Sequence, residues 1–404
     1  MISLEIPEKL ETLAGQAHMA AEHVLRPISR KYDRAEHTYP VELDTLAELI
    51  AQANAAQAGY DTSGPAETSA AKHAADGNVN GRSLASLVGV IEMCWGDTGL
   101  MLTMPRQGLG QAAIRAVATP EQLLRFGGKW AAMAITEPGA GSDSAAIRTT
   151  AVLDGDDYVL NGEKIFVTSG DRADLIVVWA TLDRNIGRGA IKSFVVERDN
   201  PGLKLDRLEH KLGIRASDTA NFVLDNCRVP KENLLGSPEI TTAREGFAGV
   251  MQTFDNTRPM IAGMAVGVAR AALERTRELL AEAGVEISYD RPLTTQSAAV
   301  AEFLRLEADW EAGRLLSLKA AWMADNRMPN TVAASIAKAK AARVATDVTL
   351  SCVALCGTLG YGEDELLEKW ARDAKILDIF EGTQQIQQLV IARQLLGKTS
   401  SELK

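Results

Sequence analysis

The chain has 404 residues, 46% hydrophobic and 24% charged, a composition ordinary for a soluble globular protein of two or three domains. A net charge of −10 with no basic run argues against nucleic acid as a partner. Cys94, Cys227, Cys352 and Cys356 form no Cys-x-x-Cys pair, and the start Met1-Ile-Ser-Leu-Glu-Ile-Pro-Glu has no basic, apolar leader, so a reduced, cytoplasmic setting is expected.

Residues from Pro7 to about Ala58 read as helices, with Leu10, Leu13, Ala14 and Ala17, then Leu43, Leu46, Ala47 and Ile50, at helical spacing. From Asn54 to about Gly81 small and polar residues replace the large apolar ones, which predicts a surface loop with a short helix. Helical pattern returns at Leu84 and runs to about Trp130, with breaks at Pro105 and Pro120.

Five short runs then favour strands: Tyr158-Val-Leu, Ile165–Thr168, Leu175–Ala180, Phe194–Glu197 and Asn221–Asp225. Asp154-Gly155 and Asn161-Gly162 carry hairpin-turn chemistry between them. Strand follows strand with no helical pattern between, which predicts an antiparallel β-barrel or sandwich ending near Pro230. Helices resume at about Thr241 and continue through Leu273–Ala283, Ala298–Asn326 and Thr331–Cys356. Gly263 and Gly267, four apart, would let two helices approach closely. Cys352 and Cys356 share a helix face as buried small residues or as a metal pair, with the first the simpler account. Arg258 and Arg270 bracket the glycine pair, and the uncharged stretch Val348–Gly362 is too short for a bilayer, so no membrane span is predicted. The fold class is therefore α+β and multidomain: an N-terminal helical domain (1–130), a middle antiparallel β domain (131–240) and a C-terminal four-helix bundle (241–404).

Two stretches carry chemistry. Ile376, Ile379 and Phe380 keep helical spacing up to Glu381-Gly382, where the pattern breaks, and it resumes at Ile386, Leu389 and Val390. Gly382 permits a sharp turn and Thr383 suits an N-cap, so Glu381 stands at a break between two apolar-faced helices, as a partly buried base or as a solvated helix-end residue. The second stretch, Ala134-Ile-Thr136-Glu-Pro-Gly139-Ala-Gly141-Ser142-Asp143, lets backbone N–H groups approach a ligand, or is an ordinary glycine-rich loop. It has neither the Gly-x-Gly-x-x-Gly spacing of a dinucleotide fold nor the Gly-Lys-Ser/Thr of a Walker loop. No metal-ligand spacing is recognised.

With these stretches in view the chain resembles the acyl-CoA dehydrogenase family over nearly its whole length. The carriers, in order, are the Ala134–Asp143 string, Lys164-Ile-Phe-Val-Thr-Ser169, His210-Lys-Leu-Gly-Ile-Arg-Ala-Ser-Asp-Thr219, Phe254-Asp-Asn-Thr-Arg258-Pro, Arg372-Asp-Ala-Lys and Phe380-Glu-Gly-Thr383. Only Asn54–Gly81 matches poorly. The resemblance implies an FAD-dependent oxidoreductase of fatty-acid β-oxidation that converts an acyl-CoA to the trans-2-enoyl thioester, with electron-transfer flavoprotein as electron acceptor and a dimeric or tetrameric assembly. By it, Ile135, Thr136, Gly141 and Ser142 line the flavin, and Phe166 and Thr168 flank its ring edge. The family commonly has Trp where Phe166 stands. Thr383 and Gln385 fall on the ribityl and diphosphate side, and Glu381 falls at the catalytic base. Ser142, Asp255, Arg258 and Gly382 fall on substrate-contacting segments. Arg258 as an interhelical ion-pair residue and Phe166 as core stay open as alternatives.

The chain departs from the family twice. Glu286-Ile-Ser-Tyr289-Asp290 replaces an Arg-x-x-Phe-Gly stretch whose arginine reaches a neighbouring subunit's FAD diphosphate, and Ala354-Leu-Cys-Gly357-Thr358 replaces Gln-Ile-x-Gly-Gly. A carboxylate about 4 Å from a diphosphate is repelled by about 4 kcal/mol at an effective dielectric near 20. Unless Arg291 compensates, the expectation is a hetero-oligomer with an unlike acyl-CoA dehydrogenase chain, an arrangement some bacterial members use. Two other readings remain: a non-catalytic or FAD-poor partner subunit, and a flavin oxidase or monooxygenase on the same fold, against which the retained Glu381 argues.

Overall fold

The computed structural model describes residues 6–60, 79–106, 108–240, 248–399 and 402, without the side chains of 51, 53–60 and 248–256. Helix α1 (Glu8–Ala20) passes through one π turn (Ala21–Leu25) into α2 (Arg26–Arg34), and the widened turn precedes Pro27, which has no N–H to give the ladder. Helix α3 (Glu42–Tyr60) takes up the start of the loop expected from Asn54, while residues 61–78, and with them the expected short helix, lie outside the described residues. Four helices follow: α4 (Arg82–Gly96), α5 (Thr98–Thr103), α6 (Leu109–Val117) and α7 (Pro120–Phe126). Asp97 ends α4 and starts α5, its extended backbone turning the chain while its carboxylate accepts from Leu100 N–H at 2.8 Å. Pro120 opens α7 behind a Thr119–Gln122 capping box, so the expected break is a helix start.

Seven strands form one sheet: β1 (Ala131–Ala134), β2 (Thr150–Asp154), β3 (Asp157–Thr168), β4 (Leu175–Thr181), β5 (Ile191–Glu197), β6 (Leu203–Leu208) and β7 (Thr219–Pro230). The order is β1-β4-β2-β3-β7-β6, with β5 on β4. The sheet is mixed, which corrects the antiparallel expectation: β1 runs parallel to β4 (Ala131 opposite Leu175), and β2 meets β4 in parallel at Thr150 and Thr181. A parallel neighbour needs a crossover of a dozen residues or more, and the glycine-rich loop with the β2–β3 hairpin supplies it without an α-helix. Asp154-Gly155 does turn the β2–β3 hairpin, but Asn161-Gly162 is a bulge inside one long β3. A Cβ on Gly162 would lie 2.4 Å from Thr149 Oγ1, so a close approach selects the glycine there.

The remaining helices are α8 (Ala248–Glu282), α9 (Ala298–Asp325), α10 (Thr331–Tyr361), α11 (Leu367–Leu377) and α12 (Gln384–Leu396). Leu87 and Ile91 of α4 share a core with Ala265 and Ala269 of α8, Phe303 of α9, Ala341 and Ala345 of α10 and Trp370 of α11. A Cβ on Gly267 would stand 2.3 Å from Ile91 O, and one on Gly263 would stand 2.6 Å from Leu87 Cδ1, so the glycine pair seats α4 against α8 as its spacing predicts. Among the described residues α10 alone is long and apolar enough to cross a membrane, yet its small-residue stripe, with fully buried Lys338 in it, is packed in this core. Gly357 bends α10 with φ +56° and ψ −125°, a conformation closed to L side chains. The four cysteines are free thiols, three of them buried, and Cys356 Sγ lies 3.6 Å from Thr276 Oγ1, in keeping with small packing residues.

Candidate active site

Helix α11 stops at Leu377 and α12 starts at Gln384, where Thr383 Oγ1 accepts from Ile386 N–H as the predicted N-cap. Between them Glu381 (φ +58°) and Gly382 (φ +91°) are both left-handed. A non-glycine residue held there costs on the order of 1–3 kcal/mol and persists only where its surroundings hold it. Gln387 Nε2 donates to the carbonyls of both Glu381 and Gly382 at 3.1 Å, and Lys338 Nζ, arriving from α10, donates to the Gly382 carbonyl at 2.6 Å.

The Glu381 carboxylate accepts from Thr257 Oγ1 at 2.7 Å, and the residue is half-buried. Burial pushes its carboxyl above the usual carboxylate range, and the Thr257 hydroxyl, Arg258 and Lys338 pull the other way. Arg258, 2% exposed, and Lys338, with no exposed surface, are thus buried cations near this half-buried carboxylate. A carboxyl raised by burial and opposed by two nearby cations is the kind of perturbed group that acid–base sites use.

The glycine-rich loop forms a second assembly on the β sheet. Glu137 and Ala140 exchange backbone hydrogen bonds (3.2 and 3.0 Å) around Pro138-Gly139, and Ile165 N–H donates to the Thr136 carbonyl at 2.9 Å. The buried Glu137 carboxylate accepts from Lys164 Nζ (2.7 Å), Arg148 N–H (2.6 Å), Thr149 N–H (2.9 Å) and the Thr149 hydroxyl. Lys164 Nζ also reaches the Ile135 carbonyl at 3.1 Å. Burial depresses the Lys164 ammonium to about 8 despite Glu137, while Lys164, Thr149 and the Arg148 N–H overcome burial at Glu137 and hold its carboxyl below the usual range. The loop's outer side is bare: Gly141 and Ser142 are exposed, and a Cβ on Gly139 or Gly141 would meet nothing within 4 Å. Phe166 leaves 58% of its surface exposed, with φ +59° and its N–H on Asn221 Oδ1, and Thr168 is half-buried nearby on the same strand. Beside the loop a cavity of about 340 Å³ is lined by Ala145, Ile147, Thr181 and the two cations Arg148 and Arg184.

Ile135, Thr136, Gly141, Ser142, Phe166 and Thr168 thus belong to one side, and Glu381, Gly382, Thr383 and Arg258 to the other, with Gln385 exposed on the first turn of α12. Asp255 lies on α8, but its side chain is outside the described residues. The two sides are tied where α11 meets the β6–β7 loop: Ile214 N–H donates to Asp373 Oδ1, and Arg372 Nη1 to the Leu212 carbonyl at 2.9 Å. Sequence reasoning missed Thr257, Lys338, Gln387 and Glu137 as site residues. Thr257 and Glu137 stood inside quoted motifs, and Lys338 was the charged residue in an otherwise small-residue helix stripe.

Residues 132–227 match the family model of the acyl-CoA dehydrogenase middle domain and 244–396 that of the acyl-CoA dehydrogenase C-terminal domain. The mitochondrial short-chain specific acyl-CoA dehydrogenase of Bos taurus is 35% identical over 98% of this chain and 92% of its own. The chain belongs to the acyl-CoA dehydrogenase family. A short-chain specific acyl-CoA dehydrogenase of Clostridium acetobutylicum is 37% identical over 78% of this chain and 83% of its own. The solved butyryl-CoA dehydrogenase of Megasphaera elsdenii superposes with a TM-score of 0.82 at 30% identity, covering 98% of this chain and all of that one. As an acyl-CoA dehydrogenase the chain is an FAD-dependent oxidoreductase acting on CH–CH bonds. Its residues fit the cofactor: an uncovered aromatic face at Phe166, the hydroxyls of Thr136, Ser142 and Thr168, and bare loop backbone offer an apolar wall with donors. At the two departures from the acyl-CoA dehydrogenase pattern, Glu286 and Ala354 are exposed and Gly357 keeps its bend.

Proposed function

We propose that this chain dehydrogenates a short-chain acyl-CoA between its α and β carbons, with Glu381 removing the α-proton. The observation that carries the reading is the Glu381 carboxyl itself, half-buried at a left-handed turn between two helices, raised by burial and hydrogen-bonded by Thr257. A thioester α-C–H is a weak acid, so its base must be basic near working pH and must not wander. Arg258 and Gly382 border that base, and with Ser142 and Asp255 they are assigned to the substrate. Arg148 and Arg184, facing the cavity by the loop, suit the phosphates of a CoA nucleotide.

Ile135, Thr136, Gly141, Ser142, Phe166, Thr168, Thr383 and Gln385 are assigned to FAD, between the sheet and the α11–α12 turn. FAD, when bound, supplies the two-electron acceptor for the β-hydrogen. Phe166 supports a ring face, and the loop glycines let backbone N–H groups come close while Glu137 and Lys164 hold the loop's shape. Electron-transfer flavoprotein takes the electrons onward, and the enzyme works in the cytoplasm. The division at 1–130, 131–240 and 241–404 belongs to the same reading.

An oligomer is favoured by exposed Leu359 and Tyr361 beyond the α10 bend and by Leu389, Leu395 and Leu396 on α12. Exposed Glu286 favours an unlike partner chain over a symmetric tetramer, because a carboxylate cannot serve a neighbour's diphosphate. One tightly bound FAD per chain in the protein purified alone overturns that second point. For the main reading the test is Glu381→Gln: the variant folds, retains FAD and loses turnover of butyryl-CoA by several orders of magnitude. Near-normal turnover removes Glu381 from the role.

A further inference from the structure

We propose that Lys338 is a positioning residue: it locks the Glu381–Gly382 turn from the neighbouring helix and, with Arg258, adds a buried positive charge beside the Glu381 carboxyl. The inference rests on Glu381 being the base, and adds what holds and tunes it.

The geometry comes first. Two consecutive left-handed residues form the link between α11 and α12, and neither belongs to a helix ladder that would fix it. Gln387, from the first turns of α12, grips both carbonyls, but it is part of the segment it holds. Lys338 is different, because α10 is a separate element whose core face is packed against α8 and α11. Its hydrogen bond at 2.6 Å to the Gly382 carbonyl therefore references the turn to the body of the bundle. A side chain with no exposed surface, carrying an ammonium amid alanines, needs such a partner to be tolerated.

The electrostatics follow. The charged groups facing Lys338 are Glu381 and Asp378 beyond the end of α11 and Arg258 on α8. Asp378 is shared with Arg343 and Lys375, at 3.3 Å from each. Burial lowers the Lys338 ammonium to about 8, with Asp378 and Glu381 opposing, so near neutrality Lys338 is charged. In turn its charge opposes the burial that raises Glu381. Removing it should therefore push the Glu381 carboxyl further up and leave more of it protonated, and so idle, at a given pH.

The test compares wild type with Lys338→Met, Lys338→Gln and Lys338→Arg. The Glu381 carboxyl is titrated directly by infrared difference spectroscopy, with Glu381→Gln assigning the band. In Lys338→Met and Lys338→Gln the carboxyl should titrate about one pH unit or more higher than in wild type. With butyryl-CoA, the acid limb of kcat should move by the same amount, and kcat should fall roughly 10–100-fold with a smaller change in KM. Lys338→Arg should restore most of the titration and part of kcat. If Lys338→Met does not fold, Lys338→Gln carries the same expectation. An unchanged Glu381 titration in the folded charge-free variants overturns the proposal. Wild-type protein that reacts with no acyl-CoA ends the base assignment instead, while the infrared titration still decides whether Lys338 and Glu381 are coupled.

Discussion

Lys369 on α11 is 1% exposed and lies 2.7 Å from Asp97 and 2.6 Å from Asp373, both with no exposed surface. Asp97 also caps α5 and accepts from the Ser29 hydroxyl of α2, and Asp373 accepts from Ile214 N–H, so one ammonium ties the N-terminal helices, the sheet and α11. Burial alone would depress that ammonium, but Asp373 and Asp97 outweigh it and hold it above the ordinary lysine value. Lys369→Met leaves the shape and removes the charge. Because both carboxylates touch the same nitrogen, they lie at most about 5 Å apart, and their repulsion at an effective dielectric near 20 is about 3 kcal/mol. That agrees with the ~3–5 kcal/mol typical of breaking a buried pair by removing one partner. Spread over the unfolding entropy of 404 residues, differential scanning calorimetry should show Tm lowered by roughly 3–6 °C. The sign with pH is fixed. Burial raises the Asp373 carboxyl, and losing the ammonium removes what opposes that; a carboxyl raised in the folded state destabilises it above its unfolded value and is relieved as pH falls through the folded one, so the deficit should be smaller at pH 5 than at pH 8. A Tm within 2 °C of wild type at pH 8, or an equal deficit at both pH values, would refute the reasoning.

Gly267→Ala should lower Tm by several degrees, since its Cβ would lie 2.3 Å from Ile91 O and two helices must part at a cost of ~1–3 kcal/mol; Gly15→Ala, within α1 and with nothing within 4 Å, should leave Tm unchanged or raise it. Glu137→Gln should cost about 3 kcal/mol near neutral pH by leaving Lys164 unpaired, and should weaken FAD retention on dialysis by loosening the loop. The Glu137 carboxyl is depressed in the folded protein, so its contribution is full above the ordinary value of 4.5 and lost as pH falls through the folded value; denaturation curves of wild type and variant should converge at low pH.

Much of this was legible in the chain. The break at Glu381-Gly382, the Thr383 cap and the Gly263/Gly267 contact each follow from a local rule that tertiary structure did not override. Strand direction was not legible, because β1 and β4 pair across forty residues and nothing local to Ala131–Ala134 records its partner. The short Ala-rich β1 and the polar β6 (Leu-Lys-Leu-Asp-Arg-Leu) also lack a strand's usual composition. Asn161-Gly162 misled because a bulge and a hairpin ask for the same residues. Lys338 was hidden for a different reason: its long side chain acts several ångströms from its own backbone, on a turn forty-four residues away that sequence spacing does not connect to it.

The contact at Gly263 and Gly267 bears on how such an enzyme changes its diet. Two helices that meet with no Cβ on one side have little slack to give, so α4 stands at a fixed remove from the helix that carries Thr257 and Arg258. If the proposed acyl site lies against α4, substitutions elsewhere along that helix would lengthen or shorten it one methylene at a time, each worth ~1–3 kcal/mol of discrimination, without moving the segment that holds Glu381. Preference can drift freely because reactivity is anchored where no side chain exists to be exchanged.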